Sequence, residues 1–378
     1  MLVVGPAVAP RVPVAQRMPV AKQRPLAPAG ARRTRLAQGL GNATPFLRGL
    51  EHVNVTAAST HASKSPATMP DDLRFAACDV GSNAVRLVVS RVLGNTERFM
   101  QREASYRVPL RLGDEVFTTG SISGANVSSL VEVFKAFRLL IEFFKPEKLR
   151  ACATSALREA ENGKVVAQRV WDETGVRLEV ITGAEEARTL FSIHHEAGLS
   201  PSRDYLYVDV GGGSTELTLL SEGRVVQSES FRIGGVRLLR SRVDSTEWER
   251  MKAWIDDLPR GIRLTEAIGT GGNISKIYDL VVGTPGGEIS RRRIREVIQT
   301  LEPLSIERRM RDYGLKPDRA DVIVPAGKVY YQVMKWADIK AMVVPKLGVA
   351  DGLLAQMFEA VYGVLPAPSG ANRLMDQD

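Results

Sequence analysis

The sequence predicts an α/β protein built from two similar lobes with a cleft between them. Two copies of one pattern carry this prediction: an apolar strand that runs into Asp, any residue, Gly and then small polar residues. The first copy spans residues 75–83 and the second 205–215, so that Asp79 and Asp209 lie 130 residues apart. Each acid ends a strand, and the loop after it offers backbone N–H groups that can surround phosphate oxygens. The repetition indicates a duplicated architecture.

The residues after each loop argue against two common phosphate-binding folds. After the first loop, residues 84–92 read as a strand, followed by a turn at Gly94 and a third strand through Phe99. After the second, residues 215–220 and 224–228 read as two strands joined by a tight turn. A dinucleotide-binding loop or a P-loop must lead into a helix N-terminus, which supplies a positive dipole. Neither loop does so, and no G-x-x-x-x-G-K-[ST] pattern occurs.

Helices and strands alternate after the opening strands of each half. Apolar residues at three- and four-residue spacing predict a helix over 124–144, which Pro146 ends. The other predicted elements are strands at 149–154, 176–181, 205–210, 264–268 and 339–344, and helices at 164–173, 183–197, 322–337 and 349–361. We expect a first lobe over 74–190 and a second over 191–348, with the last helix packing back on the first lobe. Residues 366–378 are expected to form a loose tail.

The N-terminal 72 residues differ in composition from the rest of the chain. Residues 1–70 hold nine of the twenty prolines and nine basic side chains but a single acid, Glu51. They offer little apolar surface to offset the cost of ordering, so residues 1–72 are expected to be a disordered basic tail. An organellar targeting peptide is one interpretation, although its prolines would break the amphipathic helix. An over-extended gene start, with translation from Met69, is the favoured one.

The charge and composition of the remaining chain argue against a DNA-binding, membrane-associated or disulfide-stabilised protein. Beyond residue 70 there are 42 basic and 42 acidic side chains, so the folded part is not a polycation and no DNA partner is expected. No apolar run approaches the ~20 residues needed to span a bilayer, so no membrane association is expected. Cys78 and Cys152 lie in predicted strands, where they read as small buried side chains and not as a disulfide framework. A cytoplasmic location fits.

Three antiparallel strands followed by alternating strands and helices, given twice, resemble the actin-like ATPase (ribonuclease H-like) fold. Four ordered motifs make the resemblance narrower: residues 79–83 (DVGSN), 153–158 (ATSALR), 183–188 (GAEEAR) and 209–216 (DVGGGSTE). Together they resemble the exopolyphosphatase/guanosine pentaphosphate phosphohydrolase (Ppx/GppA) family over about residues 74–363. The fold implied is a duplicated, two-lobed one with an interlobe cleft.

The two loops supply the candidate phosphate-binding residues. Backbone N–H groups are expected to contact phosphate oxygens at Gly81, Ser82, Asn83, Gly211, Gly212, Gly213 and Ser214. Glycine is favoured there because a Cβ would block a close approach of the backbone to the ligand; a pair of ordinary tight turns is the alternative. Arg158 just follows a buried strand, where its guanidinium can clamp a phosphate. Its alternative is a surface ion pair with Glu159 or Glu161.

The acids are assigned by position. Thr182 and Glu185 have the spacing of a capping box, which gives Glu185 a structural role. Glu186 lies ~100° further around the helix and shares its apolar side. The family resemblance implies that Glu186 is the catalytic base; a solvated helix glutamate is the alternative. Asp209 and Glu216, with Asp79 as a third, are oxygen ligands suited to Mg²⁺, although capping of the turns would also explain them.

The function expected from these residues is hydrolysis of a terminal phosphoanhydride with release of orthophosphate. The resemblance implies inorganic polyphosphate as the first substrate and guanosine pentaphosphate as the second. Phosphoanhydride chemistry also leaves open a kinase of the actin-like fold, which needs an acceptor site, and a non-catalytic sensor of polyphosphate or nucleotide. A homodimer is the assembly left open.

Overall fold

Two mixed β-sheets form the framework of the protein. The computed structural model describes residues 73–94, 97–193, 200, 203–282 and 287–367. The predicted N-terminal tail and most of the predicted C-terminal tail lie outside the described residues. Of the latter, Ala367 is held in place, because its N–H donates a 2.8 Å hydrogen bond to the Arg98 carbonyl oxygen and it forms a bridge with Phe99.

The first sheet has five strands in the order β3-β2-β1-β4-β5. Their bounds are β1 Arg74–Val80, β2 Val85–Leu93, β3 Phe99–Val108, β4 Lys148–Ala153 and β5 Leu178–Val180. Strands β1 to β3 are antiparallel, whereas β4 and β5 run parallel to β1. The predicted strands are present, but the third begins at Phe99, the residue through which the sequence pattern predicted it to run, and continues to Val108.

The second sheet repeats this order and adds one edge strand. Its strands are β6 Asp204–Val210, β7 Thr215–Ser221, β8 Arg224–Phe231, β9 Leu264–Thr270, β10 Gly287–Ser290 and β11 Ala341–Val344. The order is β10-β11-β9-β6-β7-β8, with β9 parallel to β6 and β11 parallel to β9. Both loops therefore lie between antiparallel strands, as predicted. The antiparallel strand β10 was not predicted, because four residues are too few to show a period.

Thirteen helices are described, and the longest has the bounds that the sequence predicts. They are α1 Leu112–Thr119, α2 Gly124–Phe144, α3 Ser155–Glu159, α4 Gly163–Thr174, α5 Gly183–Phe191, α6 Gly235–Leu239, α7 Ser245–Asp256, α8 Gly272–Val281, α9 Arg291–Leu301, α10 Ile306–Tyr313, α11 Pro317–Ala320, α12 Ile323–Trp336 and α13 Val349–Tyr362. Helix α5 ends at Phe191, whereas the sequence predicted a helix to residue 197; residues 194–199 lie outside the described part.

Helices cover both faces of the first sheet. On one face the sheet packs against α2 and α4 through side chains such as Leu130, Phe134 and Val170. On the other it packs against α13, whose Leu353 and Phe358 are fully buried. Burial on both faces explains why β1 is a nearly continuous apolar run instead of an alternating one. The last helix thus contacts the first sheet, while α8, α9 and α12 pack with the second.

Cys78 and Cys152 are buried free thiols on the neighbouring strands β1 and β4. Burial is the main reason that their pKa values are raised, Cys78 to about 12, so both thiols remain protonated and pack as small apolar groups. This confirms the prediction for the two cysteines. Within the described part of the chain, no helix combines the length and apolarity needed to cross a bilayer.

Candidate active site

The two Gly-containing loops face each other at the same ends of the two sheets. Each is closed by the same hydrogen bond: the Gly81 N–H donates to the Ala84 carbonyl at 3.0 Å, and the Gly211 N–H donates to the Ser214 carbonyl at 2.9 Å. A Cβ added to Gly212 would lie 2.7 Å from the Cβ of Ser82. The second loop therefore lacks a side chain there because the first loop packs directly against it.

The backbone N–H groups of the two loops differ in whether they are already hydrogen-bonded. The N–H groups of Gly81 and Gly211 are used inside their own turns. Those of Ser82, Asn83 and Gly212 find no protein acceptor among the described residues, and all three residues line the cleft between the loops. These three N–H groups are therefore available on the cleft surface to bind an anion.

Gly213 and Ser214, which the sequence predicts as further donors, do not line the cleft in the described part of the chain. A Cβ on Gly213 would lie 2.7 Å from the hydroxyl of Ser155 and overlap the ring of Phe117. Ser214 is buried, and its side chain opposes part of the rise in the pKa of Glu216. The structure thus gives Gly213 a packing position and places Ser214 close enough to Glu216 to influence its pKa.

Three buried carboxylates meet beside the second loop. Asp209 and Glu216 are directly paired in the antiparallel register of β6 and β7, so their side chains lie on the same face of the sheet. Glu186 reaches them from the first turn of α5. One oxygen of each acid lies within 4.8 Å of the others, and all three side chains are buried.

The start of α5 explains why Glu186 and not Glu185 joins this cluster. The Thr182 N–H donates to Glu185 Oε2 at 2.7 Å, and Thr182 Oγ1 accepts from the Glu185 N–H at 3.2 Å. This reciprocal pair is the capping box that the sequence predicts, and it keeps Glu185 at the helix start. The next residue is rotated by ~100° and enters the protein interior.

Burial dominates the electrostatics of the cluster. It raises the pKa of Glu186 well above the usual range, and the charge of Glu216 raises it further, while Arg158 opposes both effects. Burial and the same neighbour raise the pKa of Asp209 to about 7, and burial raises the pKa of Glu216. Three crowded carboxylates in a low-dielectric site are stabilised by protons or by a cation.

The donor set of this cluster fits a divalent metal ion. Glu216 Oε2 is buried and has no hydrogen-bond partner among the described residues, although Ser230 donates to its other oxygen at 2.8 Å. Hard carboxylate oxygens are the ligands that Mg²⁺ prefers, usually one or two of them together with substrate phosphates. Asp79, the third predicted ligand, lines the same cleft but is not part of this cluster.

Arg158 contacts the acids and not the open cleft. Its Nη1 donates to the Ile181 carbonyl at 3.0 Å and to Glu186 Oε2 at 3.1 Å, and its Nη2 lies 3.9 Å from Glu216 Oε1. The ion pair with Glu159 or Glu161, which the sequence offered as the alternative, is not formed in the described structure; Glu159 instead pairs with Arg232 and Arg237. Arg158 therefore orients the carboxylate of Glu186 and offsets part of its charge.

Three arginines that the sequence reasoning did not single out line the cleft: Arg86, Arg107 and Arg319. Arg86 is paired with Asp79 across β1 and β2, as Glu216 is paired with Asp209 across β6 and β7. The duplicated hairpins thus place a cation at one position and an acid at its equivalent. That register was the available signal for Arg86. Arg107 and Arg319 carry no local motif.

A two-lobed α/β fold with duplicated phosphate-type loops, a cluster of buried acids and arginines across the cleft defines a phosphoryl-transfer enzyme of the actin-like class. A sequence model of the Ppx/GppA phosphatase family matches residues 88–360. The chain belongs to this family, as the four motifs predicted.

Two proteins named as exopolyphosphatases are similar in sequence to this chain over most of their length. The chain is 26% identical over 309 residues to exopolyphosphatase 1 of Mycobacterium tuberculosis, and this alignment covers 76% of this chain and 89% of that protein. It is 28% identical over 311 residues to exopolyphosphatase 2 of the same organism, and this alignment covers 74% of this chain and 97% of that protein.

Solved structures show the same fold. An exopolyphosphatase from Cytophaga hutchinsonii superposes with a TM-score of 0.66 at 22% identity, covering 78% of this chain and 99% of that one. The Aquifex aeolicus member of the Ppx/GppA family superposes with a TM-score of 0.63 at 24% identity, covering 77% and 99%. The duplicated two-lobed prediction for the fold is thereby confirmed.

Proposed function

We propose that this protein is an exopolyphosphatase that releases terminal orthophosphate from inorganic polyphosphate with the help of Mg²⁺. The observation that carries the proposal is the buried cluster of Glu186, Asp209 and Glu216, two of whose members, Glu186 and Asp209, line the same cleft as Arg86, Arg107 and Arg319. Such a cleft can hold a polyanion through its arginines with its terminal phosphate beside the acids. The two mycobacterial relatives, both named exopolyphosphatases, support this choice of substrate.

The chain's own residues divide the work. The N–H groups of Ser82, Asn83 and Gly212 donate to the oxygens of the terminal phosphate and stabilise the charge that develops there. Asp209 and Glu216 would hold Mg²⁺, which when bound neutralises phosphate charge. The register of β6 and β7 alone places these two acids side by side.

Glu186 is assigned to the attacking water. A carboxylate whose pKa is raised by burial is a stronger proton acceptor than an ordinary glutamate. Its Oε2 is fixed by the Arg158 guanidinium at 3.1 Å, so the other oxygen is the one available to take a proton from water. The proton leaves the water as its oxygen attacks the terminal phosphorus, and the shortened polyphosphate departs.

The test is Mg²⁺-dependent release of phosphate from long-chain polyphosphate, guanosine pentaphosphate and ATP. Glu186→Gln should lower kcat by about 10²–10⁴-fold, the range for loss of a general base. Glu185→Gln is the matched control: it is the adjacent acid, and glutamine also serves in a capping box, so activity should persist.

Each other outcome identifies a different function. A higher kcat/KM for guanosine pentaphosphate than for polyphosphate would make the protein a guanosine pentaphosphate phosphohydrolase. A phosphorylated co-product from ATP would identify a kinase. Binding of polyphosphate without any release of phosphate would refute hydrolysis and leave a sensor.

A further inference from the structure

A second pocket, the basic pocket, continues from the active-site cleft away from the acids. It has a volume of about 340 Å³, within the range of about 300–1,000 Å³ typical of ligand sites. It shares Arg86, Arg107 and Arg319 with the cleft. Its charged lining consists of one acid, Asp279, and six cations, namely Arg86, Arg107, Lys276, Lys316, Arg319 and Lys346.

Most of these cations have no carboxylate within ion-pair distance in the described part of the chain. Arg107 pairs with Asp318, and Lys346 pairs with Asp279 at 2.6 Å. Among the described residues, the remaining four form no ion pair. Because they come from β2, α8, α11 and the segment before α11, they converge only in the folded protein. Like charges gathered in this way repel one another unless an anion is bound between them.

The pKa of Arg319 is lowered by its burial and by the positive charges beside it. Burial, followed by the charges of Arg107 and Arg86, lowers its pKa to about 9. The only side-chain hydrogen bond that its guanidinium makes in the described structure goes to Asn273 Oδ1 at 3.2 Å. The Arg319 guanidinium thus has unused hydrogen-bond donors, and this residue lines both pockets.

The lining favours phosphate groups over a nucleoside. Recognition of a purine ordinarily uses an aromatic face for stacking. No aromatic side chain lines the basic pocket among the described residues. The neighbouring ring of Tyr278 is only 1% exposed and is covered by the Lys346 ammonium, which lies 5.3 Å from the ring centroid.

We propose that the basic pocket is a second phosphate subsite, in which Lys276 and Lys316 bind the phosphates of polyphosphate that lie behind the reacting end. The inference rests on the proposed function and adds a length preference to it. A chain long enough to reach both lysines gains their charge-assisted contacts, whereas a short chain that ends in the cleft does not. The enzyme therefore favours long polyphosphate over tripolyphosphate.

The test compares two double variants that remove the same charge. Lys276→Gln/Lys316→Gln removes two cations of the pocket. Lys252→Gln/Lys328→Gln removes two exposed lysines of α7 and α12, each paired with a nearby acid. The quantity measured is the ratio of kcat/KM for long-chain polyphosphate to kcat/KM for tripolyphosphate.

We expect this ratio to fall about tenfold in the pocket variant, as for the loss of charge-assisted contacts worth about 1.4 kcal/mol in all. It should stay unchanged in the control variant, and Lys276→Arg/Lys316→Arg should restore it. An unchanged ratio in the pocket variant, or an equal fall in both variants, would overturn the subsite.

The same variants separate this proposal from the proposed function. If the wild-type protein releases no phosphate, direct titration with long-chain polyphosphate still tests the subsite. Affinity that falls in the pocket variant but not in the control supports the subsite while the hydrolase proposal fails. Equal affinity in both variants refutes the subsite whatever the enzyme does.

Discussion

Replacing Asp209 by asparagine should stabilise the metal-free protein at alkaline pH. Asp209 is buried, and one of its oxygens lies within 4.8 Å of an oxygen of Glu186 and of Glu216. Burial and the charge of Glu216 raise its pKa from 3.8 to about 7. Asparagine keeps the shape of the side chain but carries no charge, so the variant removes this electrostatic cost.

The magnitude and the sign follow from proton linkage. Because the folded protein keeps the proton of Asp209 at pH values where the unfolded chain has lost it, the wild-type stability falls as pH rises from about 4 to about 7. Above pH ~7 the cost is complete and amounts to about 4 kcal/mol, at 1.36 kcal/mol per pH unit. The gain of Asp209→Asn should therefore be about 4 kcal/mol at pH ~8.5 and less than about 2 kcal/mol at pH ~5.

Urea unfolding with EDTA, performed at both pH values, measures these free energies. Adding Mg²⁺ should then raise the stability of the wild-type protein at pH ~8.5, because ligand that binds only the folded state stabilises it. The variant has lost a ligand and should respond less. A gain that is absent, or equal at the two pH values, would refute the assignment of Asp209 to a crowded carboxylate cluster.

Two further predictions concern the contacts that hold the loops. Gly213→Ala should lower the free energy of unfolding by about 1–3 kcal/mol and impair phosphate release, because its Cβ would overlap the ring of Phe117. Gly124→Ala is the control: nothing lies within 4 Å of its Cβ, so the free energy of unfolding should stay the same or rise in the same urea titration. Equal effects of the two substitutions would contradict the packing argument. Glu159→Gln should lower the free energy of unfolding by about 2 kcal/mol, because it leaves the buried Arg237 without its carboxylate. This is less than the about 3–5 kcal/mol lost when a fully buried ion pair is broken. Thermal unfolding measures the effect, and an unchanged Tm would show that the pair contributes nothing.

The helices and the hairpins could be predicted because their signals are local. The 3.6-residue period of α2 and the proline at 146 predicted its bounds, Gly124–Phe144. Strand, turn and strand after each Asp-x-Gly loop gave the order of the duplicated sheets. The capping box of Thr182 and Glu185 separated two adjacent glutamates before any coordinates were considered.

Side-chain direction at the site could not be predicted in the same way. Arg158 follows a buried strand, and from its position alone it could equally reach a phosphate or a neighbouring acid. The folded protein places Glu186 and Glu216 beside it, and their charge attracts the guanidinium. In the same way, the positions of Gly213 and Ser214 depend on the distant Phe117 and on Glu216.

By itself, the sequence determined the duplicated α/β architecture, the family and the candidate acids, because periodicity, turn chemistry and ordered motifs act over a few residues each. Only the tertiary structure decided that Glu186, Asp209 and Glu216 share one buried site, and that Arg86, Lys276, Lys316 and Arg319 converge beside it. These groups are brought together by the packing of the two sheets across the cleft. The reason is physical: burial and charge crowding depend on neighbours from distant segments, and no local pattern encodes them.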